Sequence, residues 1–227
     1  SAVELHTNDG RTTMGVIFGH EAFRRGEDSS FPIDALRGTP YLRPVATGSD
    51  LLRDQLSSSP DYCIYLCEFQ TEHQARSGAR PAYEHLKRHV FPVVNTRAMS
   101  GEHTAHYVRW LKTWWQPHWP RSDFFASVSA QRMIACSNPQ ARPVFAFISA
   151  KFIPTNTLQV FAFDDDYSFG IIQSGPHWEW TKAKGGKVTE RIRYTNEVWT
   201  TFPWPQEPRE EEVVAVAAAG RALRRVR

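Results

Sequence analysis

Residues Leu158–Gln206 read LQVFAFDDDYSFGIIQSGPHWEWTKAKGGKVTERIRYTNEVWTTFPWPQ. Two apolar runs, Leu158–Phe163 and Tyr167–Gln173, are rich in aromatic and β-branched residues and are separated only by Asp164, Asp165 and Asp166. That pattern predicts two strands joined by a tight acidic turn. Ser174–Lys184 follows, with His177, Trp178, Trp180 and Lys182 close together, and Gly185-Gly186 opens a loop. From Lys187 to Tyr194 hydrophobic residues alternate with long polar and charged ones. Read as one strand, this segment lines a face with Lys187, Thr189, Arg191 and Arg193. Such a face suits an anionic, hydrogen-bonding partner, and nucleic acid is the first candidate. The prolines of Thr201–Pro205 then stop the sheet.

Upstream, Arg132–Ser137 (RMIACS) and Pro143–Ser149 (PVFAFIS) read as two further strands. Between them lie Asn138, Gln140 and Arg142. Asn and Gln pair bidentately with adenine and Arg with guanine in a major groove, although the same residue types also suit a plain polar turn. Tyr62–Phe69 is a buried-strand candidate, with Cys63 and Cys67 on one face as core thiols. Thr71 is placed as a helix N-cap, Arg80–Val90 as a helix with Tyr83, Leu86 and Val90 inward, and Pro32–Arg37 as one helical turn. Trp110, Trp114 and Trp115 belong to a core stripe on a helix ended near Pro117, and Ser122 is the expected cap of the next helix. Glu207–Arg227 predicts a closing helix with acids first and arginines last, its apolar stripe made by Val213, Val214, Ala217, Leu223 and Val226. The fold class expected is mixed α/β (α+β): a central twisted, largely antiparallel sheet flanked by helices, with a closing C-terminal helix. Residues 1–100 are expected as an N-terminal lobe, 101–206 as the recognition core, and 207–227 as the closing helix.

The 227 residues, 41% hydrophobic and 13% aromatic, are enough to build a sizeable core. A formal charge of +3 permits nucleic-acid binding without requiring it, because local basic faces matter more than the total. The three cysteines have no zinc-finger spacing, which points to free thiols in a reducing cytoplasm. No apolar run is long enough to span a bilayer, so no membrane partner is expected. The chain opens on Ser1, not Met, and reads as a piece cut from a longer polypeptide or as one that carries a tag scar.

Four motifs in order, FDDDYSFGIIQS, HWEW, RYT and TFPWP, resemble the target-recognition domain of MmeI-like restriction-modification enzymes, which carry N6-adenine DNA methyltransferase activity. The resemblance extends upstream through Trp114-Trp115 and Arg132-Met133-Ile134-Ala135. Leu42–Gly48 and Tyr83–Leu86 match more weakly. It implies double-stranded DNA as partner, together with a catalytic domain of the same polypeptide that uses S-adenosylmethionine. No cofactor is expected in this piece, because N-P-P-Y and F-x-G-x-G sequences are absent from it. Base readout is assigned to Asn138, Gln140, Arg142, Lys187, Thr189, Glu190, Arg191 and Arg193. DNA-backbone contact is assigned to Arg43, Arg132, Lys151, Ser174, His177, Lys182, Lys184 and Tyr194.

Two other classes stay open on the residues. A metal-dependent nuclease would use carboxylates such as Asp164–Asp166 with a positioned lysine, but Glu179 and Lys182 have the wrong spacing for one strand face. A protein-interaction module is the other. His20-Glu21 and His103-x-x-His106 are read as surface or structural residues in place of metal ligands. No catalytic residue is assigned.

Overall fold

The computed structural model describes residues 10–26, 30–53, 56, 60–100, 104–128, 131–138, 140–188 and 191–226. Its strands are β1 (Thr12–Met14), β2 (Leu42–Ala46), β3 (Tyr62–Ile64), β4 (Arg132–Ser137), β5 (Phe145–Ser149), β6 (Ile153–Pro154), β7 (Leu158–Phe161), β8 (Gly186–Val188) and β9 (Arg191–Arg193). Its helices are α1 (Ile33–Leu36), α2 (Gly48–Leu52), α3 (Glu72–Gly78), α4 (Arg80–His89), α5 (Phe91–Met99), α6 (Thr104–Leu111), α7 (Ser122–Ser127), α8 (Asp166–Ile172), α9 (Gly175–Lys184), α10 (Asn196–Thr200) and α11 (Glu210–Arg225). The architecture is mixed α/β, as expected. The chain divides into two compact units built from interleaved segments. One holds the described residues of 1–15, 46–57 and 123–227, the other those of 16–45 and 58–122. The expected lobe boundary near residue 100 falls inside the second unit.

The first unit is organised by a four-stranded sheet of order β1-β7-β4-β5, in which every pairing is antiparallel. β4 lies at its centre, pairing Ile134 with Phe161 on one side and with Phe147 on the other. Because successive side chains alternate faces, Ile134 and Cys136 join Phe145 and Phe161 against Phe169, Ile172, Tyr194, Val198 and Trp199. Met133 and Ala135 go the other way, with Ile148, Leu158 and Val160 against Ala46 and Phe124. Both faces are covered, which is why RMIACS reads as an unbroken apolar run. Each large side chain buried here contributes about 1.5–3 kcal/mol.

The predicted acidic hairpin is not formed. Leu158–Phe161 is a strand, but its partners are β1 and β4, while 166–172 is helix α8. The aspartates start that helix: Asp165 is the N-cap and its Oδ1 accepts the Ser168 N–H at 2.7 Å. Phe169 and Ile172, three apart, then fall on one buried helical face. Helix α11 packs against α8, with Asp166 paired to Arg224 at 2.7 Å and Arg221 at 3.4 Å. Its start is Glu210, three residues later than expected, and Val214, Leu223 and Val226 of the predicted stripe are exposed. The inward positions instead include Val216 and Gly220, where the α8 backbone comes within contact distance.

In the second unit Thr71 caps α3 through a reciprocal box with Gln74, and Tyr83, Leu86 and Val90 are buried as expected. Trp110, Trp114 and Trp115 are core residues, although the helix carrying Trp110 ends at Leu111 and the other two follow in turns. The strand expected over Tyr62–Phe69 stops at Ile64, and Cys63 and Cys67 are buried free thiols. Burial lifts Cys67 to about 12, so it is a core thiol in place of a nucleophile. Ser122 is the first helical residue of α7 and does not cap it from outside.

Candidate nucleic-acid interface

The candidate interface comprises helix α9, the hairpin β8–β9 and the described residues Asn138 and Gln140–Arg142. Ser174 starts α9 as N-cap, with its Oγ accepting the His177 N–H at 3.3 Å. The sequence 175–184 is helical, so residues four apart share a face. Lys182 thereby lies over the Trp178 ring at 5.6 Å, and Lys184 over Trp180 at 5.5 Å. Arg142 approaches the same Trp178 ring at 5.5 Å. Trp178 is thus a half-exposed plate with a cation from each of two segments. Reading 174–184 without a helix missed this plate, although the W-x-x-x-K spacing occurs twice in HWEWTKAK.

Lys187–Tyr194 is not one strand. The chain reverses, pairing Gly186 with Arg193, Lys187 with Ile192 and Val188 with Arg191. Lys187 therefore stands opposite Ile192 instead of in line with Arg191 and Arg193, which remain exposed on either side of a half-buried Ile192. The physical reason is the period of the pleat: Ile192 is drawn inward, so its two neighbours turn out. Thr189 and Glu190 lie outside the described residues.

The free edge of β9 is occupied by the other predicted cluster. Gln140 N–H donates to Ile192 O at 3.0 Å, and Ile192 N–H donates to Gln140 O at 2.8 Å. Two segments some fifty residues apart in sequence are thereby joined. Next to this bridge, Asn138 grips the backbone of Tyr194 with both amide atoms: Nδ2 donates to Tyr194 O at 2.7 Å and Oδ1 accepts the Tyr194 N–H at 3.0 Å. Asn138 is therefore a structural brace, and its expected role in base readout is corrected, because its amide is already paired. Gln140 Nε2 donates to Ser137 Oγ at 3.0 Å.

His177 and Tyr194 are likewise corrected as backbone contacts. Both are 1% exposed. Tyr194 Oη lies 2.9 Å from His177 Nε2, and His177 Nδ1 lies 2.6 Å from Ile172 O. A carbonyl only accepts, so Nδ1 carries the proton and Nε2 accepts from the tyrosine. Burial drives the His177 pKa down to about 4, against a smaller opposing effect of the Ile172 carbonyl. The imidazole is neutral in the fold. Below 6.5 the unfolded chain takes up a proton that the folded chain refuses. Stability from this group is therefore complete above pH 6.5 and falls as the pH drops from 6.5 towards 4. Urea unfolding midpoints across that window should decline, and the decline attributable to this site should vanish in His177→Gln.

The remaining assigned residues are spread out. Arg132 is committed to the fold: its Nε and Nη2 donate to Asp164 O at 2.9 and 2.6 Å, and its guanidinium lies 4.0 Å from the Phe147 ring centre. Lys151 is exposed in the turn after β5. Arg43 is in β2 of the other unit, opposite Cys63. Lys182 also pairs with Glu179 at 2.7 Å, a contact that helical spacing provides and that takes this acid out of any nuclease-like set. Among the described residues no three His, Cys, Asp or Glu side chains are grouped to hold a metal.

A bridged loop and hairpin that present cations around a rigid core define a recognition module. The family model described as MmeI, target recognition domain, matches residues 18–206, and the chain belongs to that family. Among solved structures it is similar to the type IIL restriction-modification enzyme MmeI in complex with DNA, with 18% sequence identity and a TM-score of 0.72. That match covers 95% of this chain and 27% of the other, so the chain spans about a quarter of that protein's length. At this identity the likeness is one of fold. No protein of curated function matches.

Proposed function

We propose that this chain reads a DNA sequence for a restriction-modification enzyme in whose catalytic domain, outside this chain, a flipped adenine is methylated at N6 with S-adenosylmethionine. The observation that supports the reading is the pairing of Gln140 with Ile192, which joins Gln140 to the Arg191–Arg193 strand. Base edges are read by Gln140, Arg142, Lys187, Thr189, Glu190, Arg191 and Arg193, with arginine donating to guanine and Glu190 accepting from cytosine. Ser174, Lys182, Lys184, Lys151 and Arg43 meet phosphates. The setting is the cytoplasm of the cell whose DNA is modified; among the described residues no helix is long and apolar enough to cross a membrane.

Sequencing of modified bases in DNA from cells that express the full-length protein tests the reading. It supports the proposal if one methylated-adenine motif appears and changes when 138–142 and 187–193 are exchanged for a relative's segments. A host genome free of methylated adenine in expressing cells overturns it. Arg191→Ala should cost about 1–3 kcal/mol of binding and relax one position of the motif. An equal loss on every sequence would instead make Arg191 a phosphate contact.

A further inference from the structure

The second unit holds an arginine in an unusual state. Arg121 has φ of +60°, in the left-handed region that an L side chain rarely occupies. The residues on either side pin it there. Pro120 O accepts the Tyr65 hydroxyl at 2.7 Å, and the Ser122 side chain is hydrogen-bonded with Tyr65 and Cys67. Strain of this kind persists where the surroundings over-determine it, and it gathers at binding sites.

What the conformation achieves is a placement of charge. The Arg121 guanidinium lies 5.9 Å from the centre of the Trp119 ring, and that of Arg109 lies 3.9 Å from the same centre. Two cations are therefore held at one indole, where like charges repel. Neither has an ion-pair partner among the described residues, and Arg121 Nε is buried without any hydrogen-bond partner. Desolvation lowers the proton affinity of Arg121, with no carboxylate to offset it. Burial chiefly lowers the proton affinity of neighbouring His118, with His106 and then Arg109 adding to the effect. Arg109, exposed and 3.9 Å from the ring centre, keeps its N–H edge available, and such an edge fits phosphate oxygens in a bidentate way.

We propose that Arg109 and Arg121, ordered on Trp119, form a phosphate-binding site for the DNA backbone. The inference rests on the DNA-recognition reading above and adds to it a sequence-independent anchor in the other unit. A phosphate there would relieve the repulsion between the two cations.

The test compares Arg109→Gln, Arg121→Gly and wild type in the full-length protein, by fluorescence anisotropy on a duplex bearing the motif and on a scrambled duplex, over a salt series. Each variant should make the slope of log affinity against log salt shallower by about one and weaken both duplexes by the same factor. Arg121→Gly has a second signature. Glycine accepts positive φ, so its thermal unfolding midpoint should be no lower than wild type while its DNA affinity falls. A merely structural arginine gives the reverse, a lower midpoint with an unchanged slope, and that overturns the proposal. If wild type discriminates the two duplexes but neither variant changes the slope, the phosphate site falls and sequence reading stands. If wild type binds both duplexes equally and the variants lose slope, the phosphate site stands and sequence reading falls. If wild type binds neither duplex at low salt, both fall.

Discussion

Replacing Asn138 by alanine is expected to destabilise the protein by about 2 kcal/mol and to abolish sequence-specific binding. The asparagine amide satisfies both the N–H and the C=O of Tyr194, at 3.0 and 2.7 Å. Alanine leaves two main-chain groups without partners, each at a cost of about 1–3 kcal/mol, with the lower end appropriate because the site is half-buried. The damage spreads to function through geometry. Tyr194 follows Arg193 directly and is held from the other side by His177, so the brace sets where the exposed arginines of β9 point. Asn138→Asp keeps an acceptor for the N–H but sets a carboxylate against the Tyr194 carbonyl, and should be no better than alanine. Urea unfolding together with binding to the motif-bearing duplex checks this. An alanine variant as stable as wild type, with one base of its motif altered, would return Asn138 to the base-reading set.

Gly220→Val should cost about 3 kcal/mol or more, and even Gly220→Ala should destabilise. In an ordinary exposed helix the alanine change is favourable by nearly 1 kcal/mol, because glycine has the greater freedom to lose. Here the sign reverses. A Cβ at Gly220 would meet Asp166 O at 2.7 Å, and one at Gly170 on the facing helix would meet Val216 O at 2.8 Å. These neighbours are main chain of two helices and cannot rotate away, so α11 must lift from α8. The same movement breaks the Asp166–Arg224 pair and withdraws Arg224 from the Phe147 ring, 5.1 Å away. Calorimetric unfolding of the two variants decides between the signs.

Much of the core was legible in sequence, because burial on both faces writes itself as local composition. RMIACS reads as a strand and is β4 residue for residue. The Thr71 cap of α3, the burial of the three tryptophans and the inward residues of α4 follow equally from patterns that each segment carries within itself. Short apolar runs are another matter. Tyr167–Gln173 has strand-like composition, yet a cap at Asp165 and a helix partner in α11 make it α8, since a run of seven suits either form until its neighbours choose.

The family was likewise readable in four short motifs, and the basic character of 182–193 was visible as charge. Which of those polar residues faces outward was not. Asn138, His177 and Tyr194 look like DNA contacts by residue type, and the fold uses them to fasten a hairpin to a helix and a loop. Sequence alone determined the fold class, the β4 strand and the kinship. Tertiary structure decided the roles, because a hydrogen-bonding side chain acquires one only when pairing across the chain satisfies it or leaves it free.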